Sequence, residues 1–172
     1  MNAQKINDNY ADKITGAYNK AFFFESGNYA LQLAIRGKIP LTLCIVDIDN
    51  LETINTKYGY DAGNKILAFV TQTIRDKCRK SDLVGYIGDG KLGLLLYNIS
   101  GINTQLVLDE LRQKIDYKKY KINTQEVDVT VSIGACVMNS YMNTESLDSI
   151  YEQAFRATNI AKDKGKNRVV VY

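Results

Sequence analysis

The chain has 172 residues, 45% of them hydrophobic and 24% charged, which suits one globular domain with a full core. Its formal net charge of +3 is too small a basic bias to argue for nucleic acid, and no apolar run reaches the length of a membrane span. Histidine is absent, which excludes histidine bases, histidine metal ligands and Ser-His-Asp triads together and leaves acid–base or metal chemistry to carboxylates, lysine, tyrosine or cysteine.

Residues 1–11 read as a linker or helix end without the apolar run of a signal peptide, and the domain itself is expected over 12–172. Asp12-Lys13-Ile14-Thr15-Gly16 is a turn leading into a helix from Tyr18 to about Gly37, with Phe22, Tyr29 and Leu33 on its apolar stripe. Pro40 blocks further helix, and Leu41–Ile48 is a continuous apolar run with the look of a central strand buried on both faces. A short helix over Leu51–Lys57 precedes Gly59. A longer one runs to Cys78, capped by Asp61, with Ile66, Phe69, Val70, Thr73 and Ile74 toward the core. Asp82–Ile87 and Leu92–Tyr97 are β-prone runs around Gly88-Asp89-Gly90-Lys91. An Asp-Gly pair there signals a hairpin, because a tight turn needs the positive φ that glycine supplies. Asn103–Ile115 is an amphipathic helix, Tyr117–Lys121 a basic, tyrosine-rich loop, and Val127–Val137 a strand. Thr144 or Ser146 caps a last helix to Lys164, Gly165 ends it, and Arg168–Tyr172 is a final strand. Helices and strands interleave, yet the hairpin forces antiparallel pairing. The fold class is α+β, a ferredoxin-like sheet, mostly antiparallel, with helices packed on it. Cys44, Cys78 and Cys136 form no CxxC pair, so they read as buried thiols of a reducing, cytoplasmic compartment rather than a zinc site or disulfide framework.

Three groups carry chemistry. Asp47 and Asp49 stand two apart at a strand end, where extended backbone sends both side chains to one side. They make either an oxygen-ligand site for Mg²⁺ or a solvated strand terminus. Lys162 and Lys166, four apart, either clamp phosphates or form a charged solvated face. Arg79 and Asp82 either read the edge of a guanine or form a surface ion pair.

Together these segments resemble the GGDEF domain, the diguanylate cyclase family. The similarity runs from Asp12 to Arg168. It is carried by Asp12-Lys13-Ile14-Thr15-Gly16-Ala17-Tyr18-Asn19-Lys20, by Asp47-Ile48-Asp49 with Ile54-Asn55, Tyr58-Gly59 and Gly63-Asn64, by Val131-Ser132-Ile133-Gly134, and by Ala161 to Arg168 (AKDKGKNR). The resemblance implies the nucleotide-cyclase palm fold and a reaction in which two domains condense two GTP into cyclic di-GMP. It implies that Asp47 and the Ile48 carbonyl hold Mg²⁺, that Asn55 and the residue at Asn64 face guanine, and that Lys162 and Lys166 bind phosphates. It also places Arg79 and Asp82 at the family's inhibitory site for cyclic di-GMP, where a further arginine is usual. Arg112 is the nearest candidate, with Glu110 at the corresponding turn.

The signature departs from the family. Gly88-Asp89-Gly90-Lys91-Leu92 stands in place of G-G-D/E-E-F, so the metal-binding acid is Gly90 and the usual glutamate is Lys91. Glu52 replaces a lysine, Asn64 an aspartate and Tyr60 a histidine. A carboxylate about 4 Å from a phosphate oxygen costs about 4 kcal/mol at an effective dielectric near 20, and a lost metal ligand adds to it. The expectation is a domain that kept the fold, lost cyclisation and weakened its Mg²⁺ site. It would act as a regulatory module for cyclic di-GMP or GTP, with an active cyclase and a ligand-free dimerisation element as alternatives. Expected partners are a second copy or a GGDEF- or EAL-type signalling domain, not nucleic acid or membrane.

Overall fold

The computed structural model describes residues 6–99, 101–138 and 146–172. In chain order the elements are α1 (Lys20–Gly37), β1 (Leu41–Ile48), α2 (Leu51–Tyr58), α3 (Tyr60–Arg75), β2 (Leu83–Gly88), β3 (Lys91–Tyr97), α4 (Gly101–Asp116), β4 (Tyr120–Ile122), β5 (Gln125–Val127), β6 (Val131–Met138), α5 (Leu147–Asp163) and β7 (Val169–Val171). Five strands form one sheet in the order β2-β3-β1-β6-β7, antiparallel except for the β6–β7 edge.

β1 lies at the centre and every one of its residues is buried. Strand alternation divides its side chains between two cores. Cys44, Val46 and Ile48 pack with residues of α2, α3 and α4, among them Ile54, Ile66, Ile74 and Leu108. Leu41, Leu43 and Ile45 pack with Phe23 and Leu31 of α1 and Ile150 and Ala154 of α5. A strand covered on both faces favours apolar side chains at nearly every position, and the two polar ones in β1 are each partnered, Thr42 by Thr104 and Asp47 by lysines.

The hairpin closes on Asp89 and Gly90, with φ of 50° and 71°, between the paired residues Gly88 and Lys91. Ile87 is an extra residue in β2, since the register shifts between Tyr86 and Gly88. Two glycines, Gly85 and Gly93, face each other across β2 and β3. A Cβ on either would come within 2.6 Å of Phe23. The slot they leave takes the buried Phe23 ring, whose burial contributes about 1.5–3 kcal/mol and anchors the hairpin to α1.

Several expectations are corrected. α1 begins at Lys20, because Asn19 caps it by accepting from the Phe22 amide and Tyr18 bridges instead to Ala11 and Gly85. Its inner face is Phe23, Gly27, Ala30, Leu31 and Ala34, whereas Tyr29 is 69% and Leu33 44% exposed. Close packing selected the small residues: a Cβ at Gly27 would lie 2.9 Å from Leu95 and 3.0 Å from Leu147. α3 starts after Gly59, not with an Asp61 side-chain cap, and stops at Arg75. Within the expected loop, Tyr120–Ile122 pairs with Gln125–Val127 as a second hairpin, so Val127 belongs to β5 and β6 begins at Val131. Ser146 caps α5 by accepting from the Ser149 amide, while Thr144 lies outside the described residues.

Gly134 of β6 sits under α5, where an added Cβ would fall 2.1 Å from the Thr158 nitrogen and 2.3 Å from the Ala154 oxygen. Both are main-chain atoms, so helix and sheet must part to admit a methyl group. Gly134→Ala is expected to lower stability by about 1–3 kcal/mol in urea unfolding. A change under about 0.5 kcal/mol, the range of an indifferent surface substitution, would contradict this packing.

Candidate functional site

The end of β1 brings two carboxylates into the protein interior, Asp47 at 4% and Asp49 at 3% exposure. They do not open onto a common space. Asp49 Oδ1 accepts from Ser132 Oγ at 2.7 Å, and its Oδ2 accepts from Thr130 Oγ1 at 2.8 Å and the Asn167 amide at 3.1 Å. Asp49 is thus a buckle between β1, β6 and the exit of α5. Asp47 meets cations. Its Oδ2 accepts from Lys162 Nζ at 2.9 Å and lies 3.6 Å from Lys91 Nζ. Lys91 is the register partner of Asp47 across β1 and β3, so the sheet itself sets this approach. The Lys91 ammonium also donates to the Asp89 carbonyl at 3.2 Å. Lys166, at φ 63° just beyond α5, donates to Asn50 Oδ1 at 2.5 Å, at the start of α2.

These residues do not fit Mg²⁺. Magnesium asks for octahedral oxygen ligands at about 2.0–2.1 Å. The Asp47 carboxylate already faces the two ammoniums of Lys91 and Lys162. A doubly charged ion about 4 Å from one ammonium is repelled by about 8 kcal/mol at an effective dielectric near 20. Were Lys91 to swing away, neither it nor Gly90 would supply a second carboxylate. The acid at the tip is Asp89, which is exposed, and no group of three or more potential metal-binding side chains occurs among the described residues. Nor does the turn readily take an acid at position 90, where φ is 71° and a Cβ would lie 2.6 Å from Leu51.

Asn55 stands on α2, one turn beyond Asn50. Its Oδ1 is buried without a hydrogen-bond partner among the described residues and points at Gly63, where an added Cβ would lie 1.8 Å away. Asn64 is half-buried beside Gly63 on α3.

Arg79 lies apart from this cluster. The Asp82 carboxylate accepts from the Arg79 amide at 2.8 Å and the Tyr97 amide at 3.2 Å, so it holds the turn that carries Arg79. Arg79 borders an apolar-walled cavity of about 250 Å³, which Asp82, Glu110, Leu94 and Leu111 also line, and a more open hollow of about 580 Å³ beside Leu33 and Tyr97. Arg112 does not join it. Its guanidinium donates to Asp109 and Asn167, both at 2.8 Å, and lies 3.6 Å from Asp116. Glu110 occupies the cavity side of α4 instead. Residues to which the sequence assigned no role therefore do much of the work. Asn167 ties Asp49 to Arg112 and Asp116, and Asn50 holds Lys166. Asn167 lay within the AKDKGKNR segment without an assigned role and Asn50 carried no signal of its own; both take the positive φ that asparagine tolerates.

The family model for "Diguanylate cyclase, GGDEF domain" matches residues 9–168, and the chain belongs to that family. The probable diguanylate cyclase DgcT of Escherichia coli K12 is 29% identical over 178 residues, covering 99% of this chain and 38% of that protein. Diguanylate cyclase DosC of the same strain is 30% identical over 162 residues, covering 94% of this chain and 35% of that protein. The chain thus spans well under half the length of these relatives. Among solved structures, the GGDEF domain of DgcB from Caulobacter crescentus, in complex with c-di-GMP, superposes with a TM-score of 0.90 at 22% identity over 98% of both chains. That likeness confirms the mostly antiparallel sheet with flanking helices as the cyclase palm fold.

Cys78, on the wall of the Arg79 cavity, has its thiol pushed up to about 12 by burial and, secondarily, by the Asp82 carboxylate. The folded state holds this proton more tightly than the unfolded chain, whose ordinary value is 9.0. Its contribution to stability is therefore complete below pH 9 and is lost as pH rises toward 12. At pH 8, native Cys78 is expected to react with iodoacetamide about a thousandfold more slowly than in urea, since only the thiolate attacks. Equal rates would show that the cavity wall is open.

Proposed function

We propose that this GGDEF domain does not make cyclic di-GMP but binds it, as a regulatory nucleotide-binding module with its ligand at Arg79. The observation that carries this reading is the Lys91 ammonium on Asp47, with no side chain at Gly90 to supply the missing acid. Cyclisation needs metal ions to neutralise the transferring phosphoryl group and a base for the attacking hydroxyl. A protonated lysine supplies no base, and a pair of such domains compounds the loss. At the other site, Arg79 stands between two hollows, with Asp82 fixing its turn. Cyclic di-GMP presents two guanines and two phosphates, and a guanidinium suits either a phosphate or the O6/N7 edge of guanine. Glu110, whose carboxylate has no hydrogen-bond partner among the described residues, supplies an acceptor for guanine N–H groups there.

Incubation with GTP and Mg²⁺ or Mn²⁺ is expected to give no cyclic di-GMP above background by mass spectrometry. Product that disappears in an Asp47→Ala control would overturn the reading.

Calorimetric titration with cyclic di-GMP is expected to show micromolar binding, weakened at least tenfold, or about 1.4 kcal/mol, by Arg79→Ala and untouched by Asp47→Ala. No heat and no chemical-shift change at millimolar ligand would refute a receptor role.

A further inference from the structure

The lysines at the end of β1 are arranged for more than the neutralisation of one acid. Among the described residues Asp47 is the one carboxylate that Lys91 and Lys162 face, and Lys166 bonds a neutral partner, Asn50, just beyond the end of β1. The other buried acid, Asp49, has three donors of its own and leaves these ammoniums alone. Each ammonium carries three donors, and the contacts described use one or two of them. The side chains of Lys91 and Lys162 remain 22% and 35% exposed, so the unused donors are within reach of a ligand. Sheet register fixes Lys91, the end of α5 fixes Lys162, and the left-handed turn after α5 fixes Lys166.

We propose that the end of β1 is a metal-independent polyphosphate site, in which the Lys91 ammonium stands where a divalent cation would and, with Lys162 and Lys166, holds the phosphates of a nucleoside triphosphate that carries no metal. Asp47 then serves as the anchor that keeps two ammoniums aimed. A triphosphate that brings its own Mg²⁺ sets that ion against Lys91, so the metal complex is the poorer ligand. The dependence on magnesium usual for nucleotide sites is inverted. This inference shares with the proposed function the absence of metal at Asp47, but it is independent of the cavity at Arg79.

The probes are inorganic tripolyphosphate and GTP, titrated calorimetrically into the domain in EDTA and again with saturating Mg²⁺. Both are expected to bind in EDTA and to bind at least tenfold more weakly with Mg²⁺. Lys91→Ala and, separately, Lys166→Ala are expected to weaken binding in EDTA at least tenfold while thermal melting shows a folded protein. Lys91→Glu is expected to take up Mn²⁺, followed by electron paramagnetic resonance of the free ion, where the unaltered protein takes up none. Failure of tripolyphosphate to bind in EDTA, binding that requires Mg²⁺, indifference to both lysine substitutions, or Mn²⁺ uptake by the unaltered protein that Asp47→Ala abolishes would each overturn the proposal. Cyclic di-GMP titrated into Lys91→Ala reports on the Arg79 site alone, so the two readings fail separately.

Discussion

β1 ends by carrying two carboxylates into a region nearly closed to water, and neither can remain bare there. An unpaired buried charge costs several kcal/mol, more than most single contacts in a domain contribute. The surroundings of the two acids are largely dictated by that constraint. Asp49 is answered by hydroxyls of Thr130 and Ser132 and the amide of Asn167. Asn167 in turn is held by Arg112 and Asp116 of α4. A chain of hydrogen bonds thus runs from the central strand through the turn after α5 to a helix on the opposite face of the sheet. Asp47 is answered by charge instead, from α5 and from the hairpin.

In this chain the sheet sets Lys91 against Asp47, and that contact is bound up with the shape of the hairpin. Asp89 and Gly90 both adopt positive φ, the backbone of a two-residue turn that matches the twist of the strands. That turn sets Lys91 opposite Asp47, and a shift of one residue would send the lysine to the other face of the sheet. It also puts Gly90 against Leu51, where a side chain would be strained and crowded. The glycine at position 90 and the ammonium of Lys91 are thus two aspects of one local geometry.

Much of this was legible in the sequence where local rules decide. The unbroken apolar run marked β1 as central, Asp-Gly marked the hairpin, and separated segments in the right order marked the family. Other features depend on contacts between residues distant in the chain. The inner face of α1 rests on Gly27, Ala30 and Ala34, which carry little hydrophobic signal and are chosen by close packing against Leu95 and Leu147. β4 and β5 span three residues each, too short for alternation to register. Arg112 looked like a partner for Arg79 because the family's site usually takes a further arginine from a neighbouring helix, yet Glu110 and Arg112 lie two positions apart on α4. At about 100° per residue, such a pair faces opposite sides of the helix.

That separation gives α4 its place in the molecule. Glu110 and Leu111 line the cavity beside Arg79. Arg112 and Asp116 hold Asn167, the neighbour of Lys166. One helix therefore braces both the cavity beside Arg79 and the turn that carries Lys166. Its grip on the turn after α5 is made of charge-assisted hydrogen bonds with little exposure, Arg112 being 14% exposed at its side chain. Such bonds hold well only when every donor and acceptor is matched. Here Asp109, Asp116 and Asn167 take the guanidinium between them. The fold thus fixes Lys166 from within the chain, and the placement of the lysines does not wait for a metal ion to organise it.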